Sequence, residues 1–198
     1  SVVDPFEPSY YSAAGNTEML LRHPDAAVAD YMKAVRLEPL NGEYLQRLGL
    51  AYSGLKDYDG SARLLRAGLA AGGNNPFLYR TYASWLISRG EREAGILNMR
   101  QAISLDPDRT RDYITMLVIY GLSDSEIAGV LPGMTGPHII FADYLQKTGN
   151  EELAAGEYRK AIGYETTVPS YFLQAYRYYM NRRDYDSAMS VMRKAVEA

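Results

Sequence analysis

The sequence predicts an all-α protein, an α-α superhelix of about six helix–turn–helix units, the fourth of them truncated. Small residues recur 34 positions apart, as at Ala27, Ser61 and Gly95. Apolar residues inside each unit follow the i, i+3, i+4 and i+7 spacing of an amphipathic helix, and strand-like alternation is absent. One helix pair cannot bury both of its apolar faces, so a period of this length is typical of stacked repeats.

The predicted units follow one another as a single array over 1–198. They are expected at 8–41, 42–75, 76–109, 110–134, 135–168 and 169–198. In the first helices Gly15, Gly49 and Ala83 recur at the same period, which allows close approach of helix axes. Pro39 and Pro107 end the first and third units because proline cannot continue a helix.

The fourth unit, 110–134, breaks the period because it lacks the end of its second helix. That helix should begin at a capping box of Ser123 and Glu126. It should run only to Leu131, since Pro132 inside a helix would cost about 3 kcal/mol. Two interpretations stay open: an eroded repeat, or a notch or hinge that exposes the "LPGMTGPH" loop, with Met134 and His138, to a ligand.

Composition limits the classes of function. The net charge is −3, so no overall positive field favours nucleic acid, and no apolar run reaches the roughly 20 residues that span a bilayer. Without cysteine there are no disulfides, no thiol catalysis and no cysteine-bound metal. The chain shows no signal peptide and opens without a methionine, so we expect a processed protein or a fragment of a longer one.

The sequence predicts no enzyme, no cofactor and no metal site. The two histidines, His23 and His138, lie far apart and are expected in a turn and in packing. No phosphate loop, zinc motif or nucleophile motif is present. Trp85 is expected in the core, whereas Tyr171 and Tyr178 have no assigned packing position and are candidates for a contact surface.

The repeat resembles the tetratricopeptide repeat, with "AAVADYMKAVRLEPLN" close to a consensus second helix of that family. The family places small residues at unit positions 8, 20 and 27. The fourth and sixth units depart from it with Leu117 and Tyr176 at position 8. The family's tryptophan at position 4 is replaced throughout, by Tyr11, Leu45, Tyr79, Tyr113, His138 and Phe172.

The resemblance implies a concave groove lined by the first helices, which would hold an extended peptide or a partner helix. The groove positions are occupied by Gln46, Leu50, Arg80, Ser84, Ile87, Ile114, Val118, Asp143, Gln146, Lys147 and Arg177. Asn16 matches the carboxylate clamp of chaperone-binding members. Phe77 and Thr81 replace the clamp's basic residues, so binding of chaperone tails is not expected.

Arrays of this family usually finish with a polar helix, whereas this sequence ends in "SAMSVMRKAVEA". We therefore expect that the chain continues, or that its last helix is buried by another protomer or a partner. Burial by another protomer would make the chain a homo-oligomer.

The resemblance implies a non-catalytic protein-interaction module cut from a larger bacterial protein. "DPFEPSYYSAAGN" and "YGLSDSEIAGVLP" are also similar to soluble tails of O-antigen ligase/polymerase-type membrane proteins. That resemblance implies a periplasmic location through a parent chain and a part in polysaccharide assembly. The alternatives are a free-standing adaptor or lipoprotein of an envelope machine, and a glycan- or small-molecule-binding repeat protein.

Overall fold

The computed structural model describes residues 7–197, and within that range the chain forms helices and no strands. This confirms the predicted all-α fold class. The chain divides into two compact parts, Ser1–Asn98 and Met99–Ala198, called here the N-terminal half and the C-terminal half. Each of the six predicted repeats contains two helices.

The helices have the following bounds. The first three repeats hold α1 (Pro8–Leu20), α2 (Pro24–Leu37), α3 (Gly42–Gly54), α4 (Tyr58–Gly72), α5 (Pro76–Ser88) and α6 (Arg92–Leu105). The last three hold α7 (Thr110–Ile119), α8 (Asp124–Val130), α9 (Thr135–Thr148), α10 (Glu151–Ala161), α11 (Pro169–Asn181) and α12 (Tyr185–Glu197). A 3₁₀ turn, Pro107–Arg109, precedes α7.

The helices begin where the sequence provides a cap. The Asn41 side chain accepts hydrogen bonds from two backbone N–H groups of α3, and Asp57 and Asn75 cap α4 and α5 in the same way. Such a cap stabilises a helix by about 1 kcal/mol. Prolines stand in the first turn of α1, α2, α5 and α11, where a missing N–H costs nothing.

The turns inside the helix pairs use a left-handed residue. Gly90 and Gly149 supply it with φ of 84° and 86°. The residue at the same repeat position is Arg22, Lys56 or Arg183 in three other repeats, with φ between 60° and 65°. A side chain in this region costs roughly 1–2 kcal/mol, so these three turns are strained where the glycine turns are not.

In the N-terminal half, α1, α3 and α5 contact one another in order, and α2 and α4 pack on them. The first helices approach the second ones at glycine. A Cβ added to Gly15 would lie 2.7 Å from the buried Tyr31 ring, and one on Gly49 would lie 3.1 Å from Leu65. Leu65 is fully buried, which stabilises the fold by about 1.5–3 kcal/mol.

In the C-terminal half, α7, α9 and α11 contact one another in the same order. A tyrosine cluster joins α10 to α11, because the rings of Tyr158 and Tyr178 stack at 4.1 Å and Tyr179 lies edge-on to Tyr178. Ala188 and Val191 of α12 complete this core. Tyr178 is therefore core, and its prediction as a contact-surface residue was wrong; Tyr171 is half-buried.

The truncated repeat behaves as the capping box and the proline predict. Ser123 and Glu126 form both hydrogen bonds of the box, and α8 ends at Val130, two residues before Pro132. The loop is closed rather than open: Val130, Leu131 and Pro132 are buried. This favours an eroded repeat over a notch at this loop, because the chain after α8 turns inward and offers little surface to a ligand.

Candidate partner-binding surface

Three of the predicted groove residues face the interior, so this part of the prediction was wrong. Gln46, Ile87 and Ile114 are 1%, 7% and 2% exposed. Gln46 turns inward because Gly68 leaves room beside its Cγ atom. Its amide nitrogen then donates to the carbonyl oxygens of Leu65, at 3.2 Å, and of Leu78, at 3.0 Å. Gln46 thus ties α3 to α4 and α5.

The other groove candidates of the N-terminal half are half-buried. Leu50 packs against the cluster around Leu65 and Trp85. Arg80 places its guanidinium 4.7 Å from the centre of the Phe77 ring, a cation–π contact. Ser84 is also half-buried. These side chains lie on α3 and α5, so they belong to one layer of first helices.

In the C-terminal half the candidates form a polar surface on α9 and its neighbours. The Asp143 carboxylate accepts a hydrogen bond from Lys147 at 2.8 Å and lies 3.6 Å from the guanidinium of Arg111. Gln146 on the same helix is half-buried. Two further candidates, Val118 of α7 and Arg177 of α11, are exposed.

A polar pocket with a volume of about 350 Å³ lies in the first-helix layer, between α1 and α3. It is lined by Ser9, Ser12, Ala13, Asn16, Asn41, Glu43, Tyr44 and Arg47. Arg47 is its central cation: one guanidinium nitrogen donates to the buried Ser12 hydroxyl at 2.5 Å and another contacts Glu43 at 3.3 Å.

The walls of this pocket are held in place from the second helix. The Tyr31 hydroxyl donates to the Asn16 side-chain oxygen at 2.7 Å, which fixes that amide with its NH₂ group as the available donor. Burial raises the pKa of Tyr31, with Arg47 opposing the rise, so the hydroxyl stays protonated. The pKa of Tyr44 is also raised, first by burial and then by the carboxylate of Glu38.

Sequence reasoning missed Arg47 because the groove positions carried over from the family do not include it. Asn16 was considered only as a match to the carboxylate clamp of chaperone-binding members. The available signal was the repeat register, which places Ser9 and Glu43 at the same position of consecutive units. Adjacent first helices therefore bring these polar residues together.

A buried hydrogen bond between a histidine and a glutamate in the C-terminal half was not predicted. His138 is 3% exposed, so its expected packing role is confirmed. Its Nδ1 atom, however, lies 2.5 Å from the carboxylate of the fully buried Glu157, which also accepts from Lys160 at 2.7 Å. Burial raises the pKa of Glu157, but the hydrogen bonds of His138 and Lys160 outweigh it and leave that pKa below its ordinary value.

The remaining single-residue predictions can be placed directly. Trp85 is core, 7% exposed, and its indole N–H donates to the Ser53 hydroxyl at 3.0 Å. His23 lies exposed in the turn before α2, 3.1 Å from Glu18. Over residues 7–197, no cluster of three or more potential metal ligands exists. No helix in that range has the length and apolar character needed to cross a membrane.

A charged cleft of about 910 Å³ lies beside α10. Carboxylates of Glu151 and Glu152 face the cations Arg159, Lys160 and Arg182 across it, and Arg182 is bonded to Glu151. None of the described residues that line it carries an aromatic ring. The cleft thus offers charge but no flat apolar platform.

Comparisons with known proteins agree with this architecture. PilF of Pseudomonas aeruginosa has a similar structure, with a TM-score of 0.53, 17% identity and coverage of 93% of this chain and 88% of that one. Yeast Tom70 matches with a TM-score of 0.51 and 18% identity; 98% of this chain corresponds to 37% of Tom70. No curated protein matches the sequence.

At these identities the two structures share a fold with this chain and nothing more is implied. The family model of the tetratricopeptide repeat matches residues 8–39, which include α1 and α2, and residues 168–198, which include α11 and α12. The chain therefore contains tetratricopeptide repeats, at its first helix pair and at its last.

Proposed function

We propose that this chain is a non-catalytic interaction scaffold that binds a peptide segment of a partner protein along its first helices. The observation that carries the proposal is the polar pocket between α1 and α3. It presents donors from Arg47 and Asn16 beside acceptors from Glu43 and Tyr44, all on helices rather than loops. An extended peptide backbone offers the complementary carbonyl and N–H groups at short intervals.

The charges around the pocket limit the ligand. Arg47 is partly neutralised by Glu43, and the pKa of Tyr44 responds to the carboxylates of Glu38, Glu7 and Glu43. A segment rich in carboxylates would meet these three groups at close range. The pocket therefore favours a neutral or basic segment, whose carbonyl oxygens accept hydrogen bonds from Arg47.

The test is selection of peptides from a displayed library on the 198-residue chain, followed by titration of each selected peptide. Arg47→Ala should weaken binding by roughly tenfold or more, since truncation of a central arginine commonly costs over 1 kcal/mol. Arg66→Ala, which removes an exposed arginine from α4, is the matched control and should change nothing. Unchanged affinity of Arg47→Ala, with its helical circular dichroism retained, would overturn the proposal.

Two cations stand at other predicted groove positions, the half-buried Arg80 in the N-terminal half and the exposed Arg177 in the C-terminal half, and they allow separate tests with an acidic peptide. Alanine at Arg80 should weaken an acidic peptide that reaches α5, and alanine at Arg177 should weaken one that reaches α11. Each variant removes one cation that the sequence places at a groove position. Equal affinity of both variants and the parent chain for such a peptide would limit the binding surface to the pocket.

We infer further that the chain belongs to a larger envelope protein. The narrower prediction, a periplasmic tail of an O-antigen ligase/polymerase-type protein, rests on sequence resemblance alone. A blot of fractionated source cells tests it: a band well above 22.1 kDa in the membrane fraction would support it. A soluble band near that mass would leave a free-standing adaptor, and a small lipid-modified membrane band would leave a lipoprotein.

A glycan- or small-molecule-binding role is the alternative to the scaffold. The charged cleft beside α10 lacks an aromatic ring among its described lining residues, and the clipped loop after α8 is buried. Binding of glycan fragments in the absence of any peptide ligand would nevertheless favour that role over the scaffold.

A further inference from the structure

α12 carries two apolar stripes, and only one of them is used inside the chain. The inner stripe, Ala188, Val191 and Ala195, packs against α11. The outer stripe consists of Tyr185, Met189, Met192 and Val196. These outer side chains are 57%, 58%, 42% and 85% exposed. Four large apolar residues on one side of one short helix form an exposed patch of the kind that marks an interaction site.

In the first repeat, the next helix along the chain covers the equivalent surface. Met189 and Val196 occupy the repeat positions that hold Val28 and Val35 in α2. There, Val28 and Val35 pack in a cluster with Leu48 and Ala51 of the following helix α3. The outer stripe of α12 is therefore equivalent to the surface of α2 that α3 covers. Among residues 7–197, no helix covers it.

The spacing of the outer stripe matches that of a helix that pairs with itself. Its four residues are separated by four, three and four positions, which is the a/d pattern of a coiled-coil seam. A helix with this seam offers the partner the same surface that it needs to cover. That property is the requirement for an isologous contact between two identical chains.

The charges beside the seam select the orientation. Asp186 and Arg193 flank the stripe on its solvent side, seven positions apart, and both are exposed. Neither forms an ion pair with any other described residue. When two copies of α12 run antiparallel, Asp186 of each copy lies near Arg193 of the other. In a parallel pair Asp186 and Arg193 of the two copies would lie about two turns apart along the seam, so this attraction would be lost.

An apolar cavity fits the same arrangement. It has a volume of about 570 Å³ and lies between the start of α11 and the end of α12, with Phe172, Leu173 and Met192 in its walls. In the antiparallel pair, Tyr185 of the second copy lies opposite Val196, at this end of α12. The largest side chain of the seam thus meets the cavity.

We propose that α12 is a homodimerisation helix and that its occupant is α12 of a second copy of this chain, packed antiparallel. The contact is independent of the peptide pocket, which lies in the N-terminal half. One short helix per chain buries less than the about 800 Å² per partner of a standard interface. The dimer therefore forms at high protein concentration rather than at trace levels.

Sedimentation equilibrium of the 198-residue chain measures this, over roughly 10 µM to 1 mM, the range suited to a weak contact. The average mass should rise from 22.1 kDa toward twice that value. Met189→Lys should leave a monomer throughout the range, whereas Met189→Leu should dimerise like the parent chain. Leu20→Lys, which changes an even more exposed apolar residue of α1, should also leave the dimer intact.

Two further variants test the partner and the orientation. Asp186→Arg should weaken the dimer by about tenfold, and adding Arg193→Asp should restore it, because the charge pair is then exchanged. Since the chain has no cysteine, Tyr185→Cys and Val196→Cys chains can be mixed and oxidised. The mixture should form a disulfide-linked pair, and neither variant alone should do so.

Other outcomes would contradict the dimer, its orientation or its charge pairing. A mass of 22.1 kDa at every concentration, or a dimer that Met189→Lys leaves unchanged, would overturn the proposal. Cross-linking of the Tyr185→Cys chain with itself would replace the antiparallel arrangement by a parallel one. Failure of the charge exchange to restore dimerisation would remove the proposed pairing of Asp186 with Arg193.

Discussion

The first and the fifth repeats hold their two helices together by different kinds of contact. In the first repeat, Gly15 lies against the ring of Tyr31, whose hydroxyl is satisfied by Asn16. In the fifth, His138 and Glu157 form a buried hydrogen bond at positions where other repeats have residues such as Tyr11 and Leu64. Close packing in one repeat and a buried, hydrogen-bonded carboxylate in the other therefore support the same kind of helix pair.

The comparison shows that the same helix–turn–helix backbone accepts either type of contact. A buried carboxylate has to offset the cost of its desolvation with hydrogen bonds, so such a site is often no more stable than well-packed apolar residues of similar volume. It is also more sensitive to the loss of one member, because the remaining group then stays buried without its partner. The two halves should consequently respond differently to single substitutions and to pH.

The largest effect is expected for Glu157→Ala. Removing the carboxylate leaves His138 buried without its partner, and the free energy of unfolding should fall by about 3–5 kcal/mol. Urea titration combined with hydrogen exchange in α9 and α10 measures the loss. Glu152→Ala, on the exposed face of the same helix, is the control and should change stability by less than about 0.5 kcal/mol. A loss below about 1 kcal/mol for Glu157→Ala would contradict the importance of the pair.

Replacing both members sharpens the same comparison. His138→Tyr together with Glu157→Leu gives the fifth repeat the residues of other repeats at these positions. Such replacements of buried ion pairs are often neutral or stabilising by about 1–4 kcal/mol. The double variant should thus be much more stable than Glu157→Ala. Equal destabilisation of the two variants would mean that the site depends on the charges and not on packing.

A smaller effect is expected for Gly15→Ala in the first repeat. The added Cβ atom would lie within 3 Å of three atoms of the Tyr31 ring, which is buried and held by Asn16. Overpacking of this kind costs about 1–3 kcal/mol. The single tryptophan, Trp85, lies in the same half, so its fluorescence during denaturation reports the loss.

The control substitution should change the free energy of unfolding in the opposite direction. A Cβ on Gly156 in α10 would meet nothing within 4 Å. Gly156→Ala should therefore raise stability by about 0.5–1 kcal/mol, the usual gain from replacing glycine inside a helix. Destabilisation by both variants would show that alanine is unfavourable for a reason other than the contact with Tyr31.

The pH dependence should come mainly from the C-terminal half. The pKa of Glu157 is lowered in the folded chain relative to 4.5, so its contribution to stability is complete above that pH. The contribution is lost as the pH falls below 4.5 and passes through the lowered pKa. Denaturation measured between pH 7 and pH 3 should show this loss for the parent chain and a smaller one for Glu157→Gln. Identical pH profiles of the two chains would exclude Glu157 as the source.

The helix pairs were predictable from sequence because they depend on local signals. The period of 34, the caps at Asn41 and Asp57, and the stop at Pro132 act within one or two turns of the chain. The core tryptophan was predictable for the same reason, since its repeat position faces the neighbouring helix. Periodicity thus determines which face of a helix turns inward.

Side-chain partners across helices were less predictable. Gln46 and Glu157 are polar residues on helices, and their type suggests exposure. Each forms hydrogen bonds with distant partners: the amide nitrogen of Gln46 with the carbonyl oxygens of Leu65 and Leu78, and the carboxylate of Glu157 with His138. These pairs are separated by 19 to 32 positions, so no local pattern reveals them. The polar pocket was missed for the same reason, because Arg47 and Ser12 meet only through packing of α1 on α3.

The smallest effect concerns the turns that both halves share. Lys56 adopts a φ of 65°, where Gly90 at the equivalent position of the next repeat adopts 84°. Lys56→Gly relieves a strain of about 1–2 kcal/mol. It also gives the unfolded chain more freedom and removes a cation from the C-terminus of α3, which together cost about 1 kcal/mol. A net gain near 0.5 kcal/mol is therefore expected from denaturant titration, whereas Arg66→Gly inside α4 should lose about 1 kcal/mol. A loss for both variants would mean that the left-handed lysine is not strained, and that the three basic turns are as well suited to this fold as the glycine turns.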